Sequence, residues 1–306
     1  MKIMLRLILY LVGLSVLCSI CHADNRREND TDIVRKNDEI IRTVHESGGI
    51  VMAVPPYWGR EPTWIGFEQL AKHLGSVLKK EVALVILKDH QSMITRTKAG
   101  DVDIGVYGAS LYVRTKKICP RLRYIATSIW KKTGKYTFFA YLITRKGSGL
   151  LSIESLSGKS FAFGSKESTG GYKYPRAWMK ENGIDPEKYF SNVRFLGSHN
   201  NVLDAVAKGG VDAGAVSPGP LAKAEKRYGK VFNRIRKFGP IPGTVIAVKD
   251  NLPEESIGKI AAVLTSLPDE VTEVEDLDFI GFKVLSDEAY DQLRKVIEVA
   301  RSVEKK

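Results

Sequence analysis

The stretch Ser165-Lys166-Glu167-Ser168-Thr169-Gly170-Gly171-Tyr172 opens a predicted helix with hydroxyls and glycines in its first turn. Serine is a favoured N-cap, and the small residues after it leave several backbone N–H groups uncovered where the helix dipole attracts negative charge. Ser168, Thr169 and the amides of Gly170 and Gly171 are therefore candidates to hold an anion with neutral donors; a plain helix cap is the alternative. A second strand-to-helix junction, Gly197-Ser198-His199-Asn200-Asn201, brings the His199 imidazole to the same strand ends, as a ligand donor or a structural one. A third, Tyr107-Gly108-Ala109-Ser110, offers the Tyr107 hydroxyl, either to a cleft or to the core. Tyr57 and Trp58 follow the first apolar strand, where they would close over a ligand or sit as loop aromatics.

Two segments echo each other. Ala99-Gly100-Asp101-Val102-Asp103-Ile104-Gly105-Val106 parallels Lys208-Gly209-Gly210-Val211-Asp212-Ala213-Gly214-Ala215-Val216. In each a helix ends at glycine and an aspartate sits inside the apolar strand that follows, a costly placement unless its oxygens accept hydrogen bonds. Asp103 and Asp212 are each either a structural acceptor or an acceptor facing a ligand.

The elements that position these residues alternate. Ile50–Val54, Val82–Leu87 and Val102–Val106 read as strands, with helix-period segments over Phe67–Leu78 and Ser92–Lys98. After Gly147-Ser148-Gly149 the alternation restarts through Ser160–Phe163, Val193–Leu196 and Val211–Val216; it breaks again at Pro240-Ile241-Pro242-Gly243 and resumes at Thr244. Strand–helix alternation implies right-handed crossovers and an α/β fold with mostly parallel sheets. The organisation expected is one lobe of residues 50–143 plus 244–306, a second of 144–243, and chain crossings near Thr144 and Gly243, with ligand at the strand ends between the lobes.

Residues 1–23 read as a secretory signal. Lys2 and Arg6 precede an apolar run from Leu7 to Cys21, and small residues precede a cut after Ala23. The run is short of the roughly 20 residues a membrane span needs, and an uncleaved N-terminal anchor is the alternative. Removal would leave 283 residues, one cysteine (Cys119) and a net charge of +10 instead of +12. Residues 24–49 read as a polar segment, tether-like, with a helix around Ile33–His45. The expectation is an exported, periplasmic monomer without disulfides.

Three motifs together resemble one family: Ser168-Thr169-x-Gly171-Tyr172 with Pro175, Phe195-Leu196-Gly197-Ser198-His199, and Gly210-Val211-Asp212-Ala213-Gly214. The chain from about 50 to 300 is similar to the phosphate/phosphite/phosphonate-binding proteins of ABC transporters. The resemblance implies a two-lobed periplasmic binding protein of type II that hinges shut on a small phosphorus oxyanion and delivers it to an ABC permease in the inner membrane. It also implies roles: Ser168, Thr169 and the following amides cap the oxygens, Tyr107 and His199 donate from the sides, and Asp212 accepts from a protonated oxygen. Two positions depart from the pattern, Gly170 where a second serine is usual and Ala109 where proline is common. The same fold binding another organic anion, or serving a membrane receptor, stays open.

Other classes find little support. No serine lies in a Gly-x-Ser-x-Gly elbow, there is no His-Glu-x-x-His, and Gly158-Lys159-Ser160 has Ile153 where a phosphate-binding loop needs glycine. No catalytic role, cofactor or metal is therefore expected. The basic residues are scattered in pairs such as Lys79-Lys80 and Lys131-Lys132, without the basic, aromatic-laced helix of a nucleic-acid binder.

Overall fold

A computed structural model describes residues 30–56, 60–273 and 279–302. The expected signal segment 1–23, residues 24–29, and Tyr57 and Trp58 lie outside the described residues. In chain order the main elements are α1 (Asp30–Glu46), β1 (Ile50–Val54), α2 (Arg60–Leu78), β2 (Val82–Ile86), α3 (His90–Ala99), β3 (Ile104–Tyr107), α4 (Ala109–Ile118), β4 (Arg123–Trp130) and β5 (Thr137–Arg145). Then follow β6 (Ser160–Phe163), α5 (Tyr174–Glu181), α6 (Pro186–Tyr189), β7 (Asn192–Phe195), α7 (His199–Ala207), β8 (Ala213–Val216), α8 (Pro218–Tyr228) and β9 (Phe232–Pro242). The chain ends through β10 (Val245–Val248), α9 (Glu254–Thr265), α10 (Asp269–Thr272), β11 (Phe279–Lys283) and α11 (Asp291–Arg301).

Two sheets result, ordered β11-β4-β10-β3-β1-β2 and β7-β6-β8-β5-β9. In each, one strand, β1 or β6, lies between its two parallel successors. Each third strand, β3 or β8, then pairs antiparallel with a strand that arrives from the other lobe, β10 or β5. The sheets are thus mixed rather than mostly parallel. Alternation along the chain reveals the βαβ units but not the strands that return against them.

β5 also corrects one expected crossing. It pairs with β8 and β9 along Thr137–Arg145, so Thr144 lies inside the second sheet and the chain changes lobe at residues 131–136. The return runs through Gly243 and Thr244, where Ser128 N–H donates to Thr244 O at 2.8 Å and Thr244 N–H to Ser128 Oγ at 3.0 Å. A Cβ at Gly243 would lie 2.6 Å from Ser128 Oγ, so the two passages can run side by side only with glycine there.

Burial follows the sheet geometry. Alternate residues of β1 face opposite layers: Ile50, Met52 and Val54 pack with α2 and α9, Val51 and Ala53 with the side that carries α1 and α3. In the second lobe, α7 and α8 cover one face of the sheet (Val202, Leu203, Val206, Leu221), and α5 and α11 the other (Met179, Leu293, Ile297). The segment expected to be a tether is in part structural. α1 buries Ile33, Asn37, Ile41 and Val44 at helical spacing, and Asn37 Nδ2 donates to Ile86 O at 3.1 Å. Among the described residues, no helix is long and apolar enough to cross a membrane.

The echo between the two aspartates has a structural cause. Val51 N–H, in β1, donates to Asp103 Oδ2 at 2.7 Å; Ser160 N–H, in β6, donates to Asp212 Oδ2 at 2.8 Å. Both bonds span 52 residues. Each βαβαβ unit is closed at the same place, where the third strand's leading aspartate ties down the first strand's entry.

Candidate functional site

The C-terminal ends of β6, β7 and β8 lie along one edge of their sheet, and each leads into a helical turn. After β6, Ser168 caps a wide turn over Thr169–Lys173: its Oγ accepts from Gly171 N–H at 2.9 Å, and Lys173 N–H reaches back five residues to Ser168 O at 3.0 Å. Wide turns of this kind recur at functional sites. They place extra amides at the mouth of a helix, and the first N–H groups of a helix have no partner within it.

Both glycines of the turn are required by close approach. A Cβ on Gly171 would lie 2.7 Å from His199 Cε1 and 2.9 Å from Ser168 Oγ; one on Gly170 would lie 2.8 Å from Ala140 Cβ and from Ser217 Oγ. The turn is pressed against β5 on one side and the imidazole on the other.

His199 opens α7, after β7, and is half-buried. Its Nδ1 accepts from Ser217 N–H at 3.3 Å, and its Nε2 lies 3.2 Å from both Ser168 Oγ and Ser217 Oγ. Desolvation pushes the ring down to about 4, so it is neutral at ordinary pH. With Nδ1 accepting, the single ring proton sits on Nε2 and is shared between the Ser168 and Ser217 hydroxyls in a three-centre bond. Ser168 Oγ then accepts from both Gly171 N–H and Nε2–H, which turns its own O–H outward as a donor.

The first lobe meets this edge with α4. That helix starts on Gly108 without a side-chain cap, whereas α3 is capped by Asp89, which accepts from Ser92 N–H. Ser110 N–H of α4 donates to Thr169 Oγ1 at 3.0 Å, and Thr169 Oγ1 donates to Ser110 Oγ at 2.9 Å. Two helix N-termini, one per lobe, therefore point at one locus. One turn further along α4, Arg114 pairs with Glu167 across the lobes at 2.8 Å and also reaches Gln91. Lys180 of α5 reaches Ser302, just beyond α11, the helix expected in the first lobe, which packs instead against α5 on the second sheet.

Of the residues named from sequence, Ser168, Thr169, Gly170, Gly171 and His199 are brought together. Two are not. Tyr107 is fully buried in the first lobe: its ring folds back along β3 over Gly105, where a Cβ would lie 2.3 Å from it, and its hydroxyl bonds Thr97 Oγ1 at 2.9 Å. That direction is away from the strand end that faces the other lobe. Burial raises the phenol well above its ordinary range.

Asp212 is the second correction. It stands at the start of β8, whereas the cluster lies beyond its end at Ser217, about 16 Å away at the rise of a strand. Its carboxylate accepts from Ser160 N–H and from Ser160 Oγ at 2.7 Å, and those bonds hold its pKa below the usual carboxylate range. It is a strand tie, and the acceptor role implied by the resemblance falls away with it.

Ser110 and Ser217 belong to the cluster and were not singled out from sequence. The signal for Ser217 was present: it ends the third strand of its lobe at Ser217-Pro218-Gly219-Pro220, the junction type that marked Ser168 and His199.

Comparison with known proteins gives a consistent picture. A family model described as the periplasmic substrate-binding protein of phosphonate ABC transporters matches residues 52–290. The phosphate-import protein PhnD of Mycolicibacterium smegmatis is 23% identical over 277 residues, covering 83% of this chain and 86% of that protein. A probable ABC transporter phosphite-binding protein of Prochlorococcus marinus is 27% identical over 159 residues, covering 49% of this chain and 52% of that protein. Among solved structures, a binding-protein component of an ABC phosphonate transporter from Pseudomonas aeruginosa superposes with a TM-score of 0.73 at 20% identity, covering 83% of this chain and 87% of its own. The Prochlorococcus marinus protein in complex with methylphosphonate superposes at 0.71 and 18% identity, covering 84% and 98%. These neighbours share the two-lobed type II fold. With its family model matched along most of its length, the chain belongs to the family of periplasmic substrate-binding proteins of phosphonate ABC transporters.

Proposed function

We propose that the protein captures a small tetrahedral phosphorus oxyanion, phosphate, phosphite or a phosphonate, between its lobes and delivers it to an ABC permease. The observation that carries this reading is the meeting of two helix N-termini at Thr169 and Ser110, supplied with hydroxyls and a neutral imidazole. Such a locus stabilises an anion by dipoles and N–H groups and needs no cation. In this reading the hydroxyls of Ser168 and Thr169 and the amide of Gly170 hold the ligand, Gly171 lets the turn close by capping onto Ser168, and His199 orients the serine hydroxyls. Export behind a signal cut near Ala23 and function as a monomer in the periplasm complete the proposal.

Binding without turnover fits the hydrogen bonds. A hydrolytic Ser–His–Asp relay needs the histidine's Nδ1–H to donate to a carboxylate. Here Nδ1 accepts from a backbone amide, and Asp212 is tied to Ser160 at the opposite end of its strand.

Calorimetry with phosphate, phosphite, methylphosphonate and sulfate tests the reading. At least one of the three phosphorus anions is expected to bind at micromolar concentration or tighter. No heat from any of them would overturn the proposal, and sulfate binding as tightly as the best of them would overturn the preference for phosphorus.

The Arg114–Glu167 pair exists only when the lobes meet, so it favours closure. Both side chains are about 30% exposed, and pairs of that kind contribute about 0.2–1 kcal/mol. Arg114→Gln is expected to weaken ligand binding by at most about five-fold and to reduce its sensitivity to salt. Titrations at two ionic strengths check this; an unchanged salt dependence would remove the pair from the closing reaction.

A further inference from the structure

Ser217 differs from the other serines at the strand-to-helix junctions of its lobe. Ser168 accepts from Gly171 N–H and Ser198 from Asn201 N–H, each capping its own helix. Ser217 occupies the N-cap of α8 but makes no cap bond with its side chain. The sequence supplies the reason. Pro218 and Pro220 fill the first and third helical positions and carry no N–H, so the donor that an N-cap hydroxyl most often satisfies is missing. The Ser217 hydroxyl is left over from helix capping and is turned instead to His199 Nε2, at 3.2 Å.

It is also the atom that meets position 170. A Cβ built on Gly170 would lie 2.8 Å from Ser217 Oγ, well inside van der Waals contact. A side chain at 170 and a hydroxyl at 217 therefore compete for one volume. Gly170 is the position where the family pattern usually has a serine; in this chain the hydroxyl at that volume comes from Ser217, at the neighbouring strand end. β6 and β8 are adjacent in the sheet, which brings the two positions together.

We infer that Ser217 is a ligand-contacting, specificity-determining residue whose hydroxyl takes the place of the one absent at position 170. Resting on the function proposed above, this adds a donor that reaches the anion from the β8 side. The Ser217 Oγ accepts from His199 Nε2–H, so its own proton is free for a ligand oxygen. Its backbone N–H, by holding His199 Nδ1 as acceptor, fixes the tautomer on which Ser168 and Ser217 both rely.

The test is a titration of wild type and variants with whichever of phosphate, phosphite and methylphosphonate binds most tightly. Ser217→Ala should raise the Kd about ten-fold, as loss of one hydrogen bond to a charged group does, with thermal stability nearly unchanged because no capping bond is lost. Ser217→Thr, which keeps the hydroxyl, should stay within about three-fold of wild type. Gly170→Ser alone should bind far more weakly, because its Cβ meets both Ser217 Oγ and Ala140 Cβ. Gly170→Ser with Ser217→Ala should recover part of that loss, since one of the two collisions is removed and a hydroxyl is restored. Wild-type affinity in Ser217→Ala, or losses from the two positions that simply add, would overturn the inference while leaving the proposed function standing. A wild type that binds none of the three anions would overturn both.

Discussion

Asp103→Ala is expected to lower the free energy of unfolding by about 3–5 kcal/mol while leaving ligand affinity in the folded protein within about three-fold of wild type. The carboxylate is 2% exposed and has three partners from three parts of the chain: Val51 N–H at 2.7 Å, His45 Nε2 at 2.9 Å, and the Lys249 ammonium. Removing it leaves the buried Val51 amide at the entry of β1 without its acceptor and takes the counter-charge from a half-buried cation beside it. Breaking a buried pair from one side costs more than the pair itself contributes. Three elements loosen together, because His45 lies in the last turn of α1, Val51 is the second residue of β1, and Lys249 follows β10.

The same substitution at Asp212 separates the two roles considered for it. Asp212 is half-buried and its partners are the amide and hydroxyl of one residue, Ser160, so Asp212→Ala should cost only about 1–2 kcal/mol. Denaturant titration of the two variants reads both costs. A loss below about 1 kcal/mol for Asp103→Ala would show that its polar partners find water. A ten-fold loss of ligand affinity in Asp212→Ala would return that residue to the cleft.

These two aspartates show where sequence reading stops. Periodicity located the strands, and the junctions after them located Ser168 to Gly171 and His199, because a hydroxyl or imidazole at the opening of a helix has a local cause. The repeated Gly-x-Val-Asp pattern was legible as a repeat. Which end of the strand its carboxylate serves was not, since an oxygen facing a neighbouring strand's amide and one facing a ligand look alike until the register is known. Tyr107 failed for a related reason: strand alternation gives the face of a side chain but not whether it leans along the strand forwards or backwards, and the space above Gly105 decides for backwards.

Two other differences are long-range. β5 reads as an apolar run before a glycine break, and nothing near Thr144 says that its partners are β8 and β9, about 70 to 100 residues away. The Ser217 hydroxyl could have been suspected from Pro218 and Pro220, which remove the amides it would otherwise cap. Its relation to Gly170 needs the sheet order β6-β8, and no local pattern carries that order.

His199 sets the second large effect, a loss of stability in mild acid. In the folded protein burial holds the imidazole at about 4, against about 6.5 in the unfolded chain. Above pH 6.5 neither state binds the proton, and the group leaves stability independent of pH. Between 6.5 and 4 the unfolded chain takes the proton first, so stability falls as pH falls; below 4 both states are protonated and the loss is complete. A shift of this size amounts to about 3 kcal/mol. The atoms around the ring, the Ser168 and Ser217 hydroxyls and the Ser217 amide, bring no negative charge to oppose it. His90, also lowered by burial, acts in the same direction, though Glu167 and Asp89 pull its pKa upward and blunt it. Thermal unfolding followed from pH 7 to 4 should therefore show a steep descent in wild type and a shallower one in His199→Asn; equal slopes would mean that the ring stays hydrated. A bound oxyanion adds the missing negative charge beside the ring and raises its pKa. Saturating ligand should then flatten the same descent in wild type and leave the slope of His199→Asn unaltered, which ties the acid sensitivity of the empty protein to the atoms that receive the anion.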